Sequence, residues 1–188
     1  MEPKELLSIL AVAVRLKDTT RHCYTPAGRH ESVAEHSWRI ALMAMLLTPE
    51  YPDTDMNRVI RMCLIHDLGE AFTGDIPTFD KTDADTEKED RLFDAWVETL
   101  PDSTRAEFQS LLAEMAALET PEAKLYKALD KMEAVISHNE SDIGTWLPLE
   151  YDLQLRYGAD NVRFSPYMTA LKAEIDRWTR EKIAQNQR

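Results

Sequence analysis

Four residues of this chain combine metal-ligating chemistry with positions that a helix would turn inward: His36, the adjacent pair His66 and Asp67, and Asp130. His36 shares a helical face with Val33, Ile40, Met43 and Leu47, and His66 shares one with Val59, Met62 and Cys63. Asp67 falls over Ile60, Cys63 and Leu64 on the flank of that apolar sector, while Asp130, in "KALDKME", stacks with Ala123, Tyr126 and Ala134. Burying imidazole and carboxylate uncompensated is costly, and a divalent cation removes the penalty from both. Four such ligands leave open positions for water or a substrate. Taken singly, each has a plainer role. His36 would be a hydrogen-bonded core histidine, Asp130 an ion-pair partner of Lys127 or of Lys124 and Lys131, and Cys63 a small buried hydrophobe. The argument for a metal lies in the constellation. The pair His66 and Asp67 poses its own question, since neighbours on a helix point about 100° apart. Both reach one ion only if they converge from the terminal turns of a helix.

The elements that must position these residues are helical. Apolar residues recur at helical spacing almost throughout, with 5 glycines in 188 residues and no convincing alternating run, so the class expected is all-α. The pattern predicts helices over Lys4–Leu16, Val33–Leu47, Met56–Phe72, Ala84–Leu100, Ser103–Leu118, Glu122–Asn139 and Pro166–Ala184. "SVAE" at Ser32 to Glu35 is a capping box, Asp55 caps the third helix, and Thr120-Pro121 supplies a cap followed by proline at the first helical position. The least regular stretches are Lys17 to Glu31, Thr73 to Asp83 and Ser141 to Ser165.

Composition narrows the setting. A chain of 188 residues is long enough to bury a core as one domain without staples. The net charge of -12 argues against a nucleic-acid polymer or an anionic membrane surface as partner. Cys23 and Cys63 are too few for a disulfide framework, which fits a cytoplasmic protein. "LLSILAVAV" imitates an export signal, but Glu2, Lys4 and Glu5 give no positive leader and the apolar run before Ala11-Val12-Ala13 is too short. No apolar run approaches the length of a membrane span.

The order His36, His66-Asp67, Asp130 resembles the HD-domain metal-dependent phosphohydrolases, whose H...HD...D residues bind a divalent metal in an all-α fold. "ESVAEHS", "HDLGEAFTGDIP" and "TPEAKLYKALDKME" look more specifically like the 5'-deoxynucleotidase subgroup. That resemblance spans roughly residues 16–138, and implies a single HD domain whose metal-site core is joined by C-terminal helices over 139–188. It implies hydrolysis of deoxyribonucleoside 5'-monophosphates to deoxynucleoside and phosphate, one divalent ion (Mn, Co, Fe, Ni, Zn or Mg) and a homodimer, for which the late helices are the expected interface.

The resemblance also assigns roles to Glu70 and Asp75. Glu70 lies one turn beyond His66, where a carboxyl can order the attacking water or pass a proton to the leaving 5'-oxygen. Asp75 follows Gly74 and precedes Pro77, in a turn near the same mouth, and can bond the sugar hydroxyl. Their plainer readings are a solvated helix end and a turn residue. A divalent ion held by two carboxylates is formally neutral, so a phosphate dianion needs another cation. Arg21, 15 residues ahead of His36, is the expected one, with Lys124 as a second. In the bacterial enzymes of the subgroup that arginine is followed by Trp, which packs on the deoxyribose; this chain has His22 there, or Tyr24 if its loop is aligned two residues shorter. The rival readings are an HD phosphohydrolase for another small phosphate ester or a ribonucleotide, and a non-catalytic metal-bound module that senses nucleotides.

Overall fold

Three caps foreseen in the sequence start the helices that carry the site in the computed structural model, which describes residues 1–186. The Ser32 hydroxyl accepts from the Glu35 N–H at 3.3 Å, and the Glu35 carboxylate accepts from the Ser32 N–H at 2.9 Å, closing the capping box of α2 (Val33–Leu46). Asp55 accepts from the Arg58 N–H at 3.1 Å to begin α3 (Met56–Ile65). Thr120 accepts from the Ala123 N–H at 3.1 Å ahead of Pro121, the first residue of α7 (Pro121–Glu140). The remaining helices are α1 (Pro3–Ala13), α4 (Glu70–Thr73), α5 (Asp83–Val97), α6 (Asp102–Ala117), α8 (Glu150–Arg156) and α9 (Pro166–Asn186).

Helix α7 is the axis of the core. Leu125, Ala128, Leu129, Met132 and Val135 are wholly buried on it, and α2, α3, α6 and α9 pack around it. Fully burying side chains of this size contributes about 1.5–3 kcal/mol each, which holds the helices bearing His36, His66 and Asp130 in fixed register. The all-α class stands.

The structure departs from expectation in three places. The predicted helix Met56–Phe72 is interrupted: after Ile65 the backbone tightens into i+3 hydrogen bonds from Leu68 to Ile65, Glu70 to Asp67 and Ala71 to Leu68, at 3.1–3.2 Å. Tightening changes the angle between successive side chains, and this is how His66 and Asp67 come to face one point. Gly69 sits at the bend, where an added Cβ would lie 3.0 Å from Glu89 Cγ and 3.5 Å from Phe93 Cβ on α5. Second, the stretch read as irregular before α2 forms an antiparallel ribbon, β1 (Thr20–Tyr24) with β2 (His30–Ser32). Its strands are short and mostly polar, so no apolar alternation announces them. Third, α8 lies within the stretch 141–165 read as irregular; seven residues are too few for a helical period to stand out.

Because Ser32 fixes the start of the helix that presents His36 one turn later, Ser32→Ala is expected to cost about 1 kcal/mol of stability, read as a lowered urea midpoint at unchanged slope.

Candidate metal centre

His36 on α2, His66 and Asp67 at the end of α3, and Asp130 on α7 converge. His66 Nε2 lies 3.3 Å from His36 Nε2, 2.9 Å from Asp67 Oδ2 and 3.9 Å from Asp130 Oδ1. His36 Nε2 lies 3.7 Å from Asp67 Oδ2 and 3.4 Å from Asp130 Oδ1. Donors about 2.0–2.2 Å from one ion stand about 2.8–3.6 Å from their nearest neighbours in tetrahedral or octahedral arrangements; His36, His66 and Asp67 form the compact group, and Asp130 Oδ1 lies at its edge, nearer His36 than His66. The outer bonds fix which atoms point inward. His66 Nδ1 meets the Cys63 carbonyl at 2.9 Å and His36 Nδ1 meets the Glu133 carboxylate, so each ring donates its Nδ1 proton outward and turns Nε2 toward its neighbours. Two imidazole lone pairs 3.3 Å apart repel unless a cation or a proton lies between them. Two nitrogens and two carboxylate oxygens fit a divalent first-row transition metal.

The same outward bonding orients Asp130. Oδ1 faces the cage while Oδ2 accepts from Lys127 at 2.8 Å, with Lys131 at 3.6 Å. One carboxylate thus carries the ion pair on one oxygen and turns the other toward the two histidines. Glu133, wholly buried, also accepts from Ser137 at 2.8 Å and from Arg21 at 3.3 Å. Arg21 reaches Glu31 at 3.2 Å as well, and Cys23 donates to the same Glu31 oxygen at 3.0 Å. Burial opposes the arginine's charge, and Glu133 and Glu31 secure it. Glu31 and Glu133 were not singled out in the sequence. Glu133 stands one turn after Asp130, the only signal it offered.

Burial penalises Asp67, but His66 and His36 hold its carboxyl well below the usual range, so it stays ionised. Glu70, three residues on, behaves oppositely. It is 6% exposed and its Oε2 has no hydrogen-bond partner among the described residues. Burial, then Asp67, Asp75 and Glu89, push its pKa up to about 10, so it is protonated at neutral pH. Burial and Asp67 also raise Asp75, against Arg21. Asp75 lines a cavity with Arg21, His22, Phe79, Glu150 and Tyr157. Tyr24 does not reach it: its ring packs on His30 at 4.1 Å and lines another groove. Hence His22 is the residue beside Arg21 that faces the cavity. Lys124 is not brought to the site. It is exposed and lines a separate groove with Glu50, Tyr51 and Glu119, because it stands nearly two turns before Asp130 and about 120° round α7 from it, whereas Lys127 and Lys131 lie within one turn.

Burial and Arg21 oppose protonation of His36, yet Glu133 and Asp130 outweigh them and push its pKa up to about 9. A cation entering the cage must displace that proton. Metal affinity is therefore expected to rise with pH, by up to about tenfold per unit between pH 6 and 8, in chelator-competition titrations.

A family model described as HD domain matches residues 13–172. The 5'-deoxynucleotidase HDDC2 of Homo sapiens is 30% identical over 141 residues, covering 73% of this chain and 68% of that protein. The crystal structure of a predicted metal-dependent phosphohydrolase from Magnetospirillum magnetotacticum MS-1 is similar at TM-score 0.74 and 32% identity, covering 93% of each chain. The cyanophage S-2L HD phosphohydrolase DatZ, bound to dA and one catalytic Zn2+ ion, shares the fold at TM-score 0.57 and 20% identity over 98% of each chain.

Proposed function

This chain belongs to the HD domain family of metal-dependent phosphohydrolases, and on that premise we propose that it hydrolyses deoxyribonucleoside 5'-monophosphates to deoxynucleoside and phosphate. The reading is carried by a buried carboxyl without a hydrogen-bond partner among the described residues, Glu70, three residues beyond Asp67 in the cluster of His36, His66, Asp67 and Asp130. His36, His66, Asp67 and Asp130 would hold the divalent ion, which when bound supplies Lewis acidity toward phosphoryl oxygen and a more acidic water. Imidazole and carboxylate donors suit Mn, Fe, Co, Ni or Zn, with Mg the poorer match to two nitrogens.

The chain's own groups account for the rest. Glu70 holds a proton at neutral pH and donates it to the departing 5'-oxygen, and Asp67 stays ionised, so one carboxyl serves as acid while the other serves as ligand. Arg21 sits between Glu31 and Glu133 and faces the cavity, where it meets the phosphate dianion. Asp75 lines the same cavity and orients the nucleoside, with His22 as the wall beside the sugar. A module that only sensed nucleotides would have no use for an unbonded carboxylic acid beside its ion. Two buried free thiols and the lack, among the described residues, of any helix fit to cross a membrane agree with a cytoplasmic setting.

A homodimer remains part of the reading, with its support in α1. None of its residues is buried, and Leu6, Leu7 and Leu10 stand exposed, with Val14 just beyond. Ile9 and Ala13 pack on the core, but the leucine face is left uncovered, and a second copy is the cover proposed for it. This moves the interface from the late helices to the first.

Asp67→Ala is expected to abolish phosphate release from deoxynucleoside monophosphates in the presence of Mn2+ or Co2+. Glu70→Gln should lower kcat by about 100-fold or more and remove the alkaline limb of the pH profile, because the group that must stay protonated is gone. Unchanged turnover in either variant would sink the mechanism. For the assembly, Leu7→Glu combined with Leu10→Glu should convert a dimer to a monomer in sedimentation velocity, while Trp178→Glu should not.

A further inference from the structure

The far side of the cavity is built by one stripe of α8 and the residue that follows it. Glu150, Leu153, Gln154 and Tyr157 stand at i, i+3, i+4 and i+7 and all line it, with Phe79 opposite from the loop after Pro77. Nearly every polar group on this wall already has a partner. Glu150, 1% exposed, accepts from His138 at 2.8 Å and from the Leu147 N–H at 2.7 Å, with His22 at 3.4 Å. The hydroxyls of Thr78 and Tyr157 bond each other at 3.1 Å, and Lys131 donates to Tyr157 at 2.7 Å. Arg21 is held by Glu31 and Glu133.

Gln154 is the exception. It is 4% exposed, lines the cavity, and among the described residues nothing donates to or accepts from its side-chain amide. Its amide atoms are not sealed off but open on the cavity, so both its donor and its acceptor are free for whatever enters there. An amide sets a donor beside an acceptor, and so does the polar edge of every nucleobase. Rotating the amide by half a turn exchanges the two, so a single glutamine serves bases whose donor and acceptor stand in either order. Phe79 and Leu153 supply flat and apolar surface beside it, which suits the face of a base.

From this geometry we infer that Gln154, with Phe79 and Leu153, forms a nucleobase subsite that requires a base without selecting one. The inference rests on the deoxynucleotidase reading and deepens it: the substrate is recognised at both ends, phosphate at the cage and base at α8. Compounds that carry the sugar phosphate alone fill only one end.

Calorimetry with 2'-deoxyadenosine, thymidine and 2-deoxyribose, alongside phosphate release from 2-deoxyribose 5-phosphate, tests this on the full chain. The wild-type protein should bind both nucleosides and bind 2-deoxyribose far more weakly. Gln154→Leu should weaken both nucleosides by about tenfold to 100-fold and leave turnover of 2-deoxyribose 5-phosphate unchanged. Gln154→Met, closer in shape, should do the same where Leu disturbs α8, with the melting temperature as the check on folding. Equal nucleoside affinity in folded variants, or equal binding of 2-deoxyribose and nucleosides by the wild type, would overturn the subsite. Nucleoside binding that depends on Gln154, in a protein that releases phosphate from no monophosphate, would uphold the subsite and overturn the proposed function.

Discussion

Glu133 carries a negative charge where no water reaches it, and much of the site is arranged around compensating that charge. His36 from α2 and Arg21 from β1 both donate to it, while Ser137 does so from its own helix. A buried carboxylate with these donors is favourable, and its own carboxyl is held down at about 2 by His36 and Arg21 against the penalty of burial. Removing any donor would leave charge uncompensated in the core. The bond to His36 also fixes the ring so that Nε2 points at the cage, and the bond to Arg21 parks a guanidinium at the edge of the cavity. One residue thus sets the orientation of His36 and the location of Arg21, the proposed metal ligand and the proposed phosphate partner.

Around that anchor the carboxyls divide by environment. Asp67 and Glu70 are one turn apart on the same short stretch, yet histidines keep the first ionised, whereas burial and neighbouring anions keep the second protonated. Such separation lets a single segment offer a ligand and an acid at the same pH. It depends on the tightened backbone after Ile65, which a regular helix through Phe72 would not provide.

What the sequence revealed and what it hid follow from the range of the signals. Apolar spacing and caps act over three or four residues, and they located the long helices other than the interrupted third to within a few residues and turned His36, His66 and Asp130 inward. The convergence of Asp67 with His66 needed a change in helical pitch, which spacing does not encode. Glu31 and Glu133 looked like ordinary acidic residues because their partners lie far away in the chain; Glu133 is 112 positions from Arg21 and 97 from His36. The ribbon β1–β2 and helix α8 are too short for a period to emerge, so the residues they present to the cavity, His22 on one and Glu150 and Gln154 on the other, had no element to place them. Lys124 illustrates the converse error: proximity in sequence to Asp130 suggested a shared role, and the helical turn put it on another side.

Lys131 belongs to two structures at once. Its ammonium lies near the outer oxygen of Asp130 and donates to the Tyr157 hydroxyl, which in turn meets Thr78. Gly158 follows with φ of +72°, and a Cβ there would approach the Lys131 Cβ to 2.6 Å. The cavity wall is therefore unequal in its freedom to change. Leu153, Gln154 and Phe79 share no such contact with Asp130, whereas Tyr157 and Gly158 both touch the lysine that lies beside it.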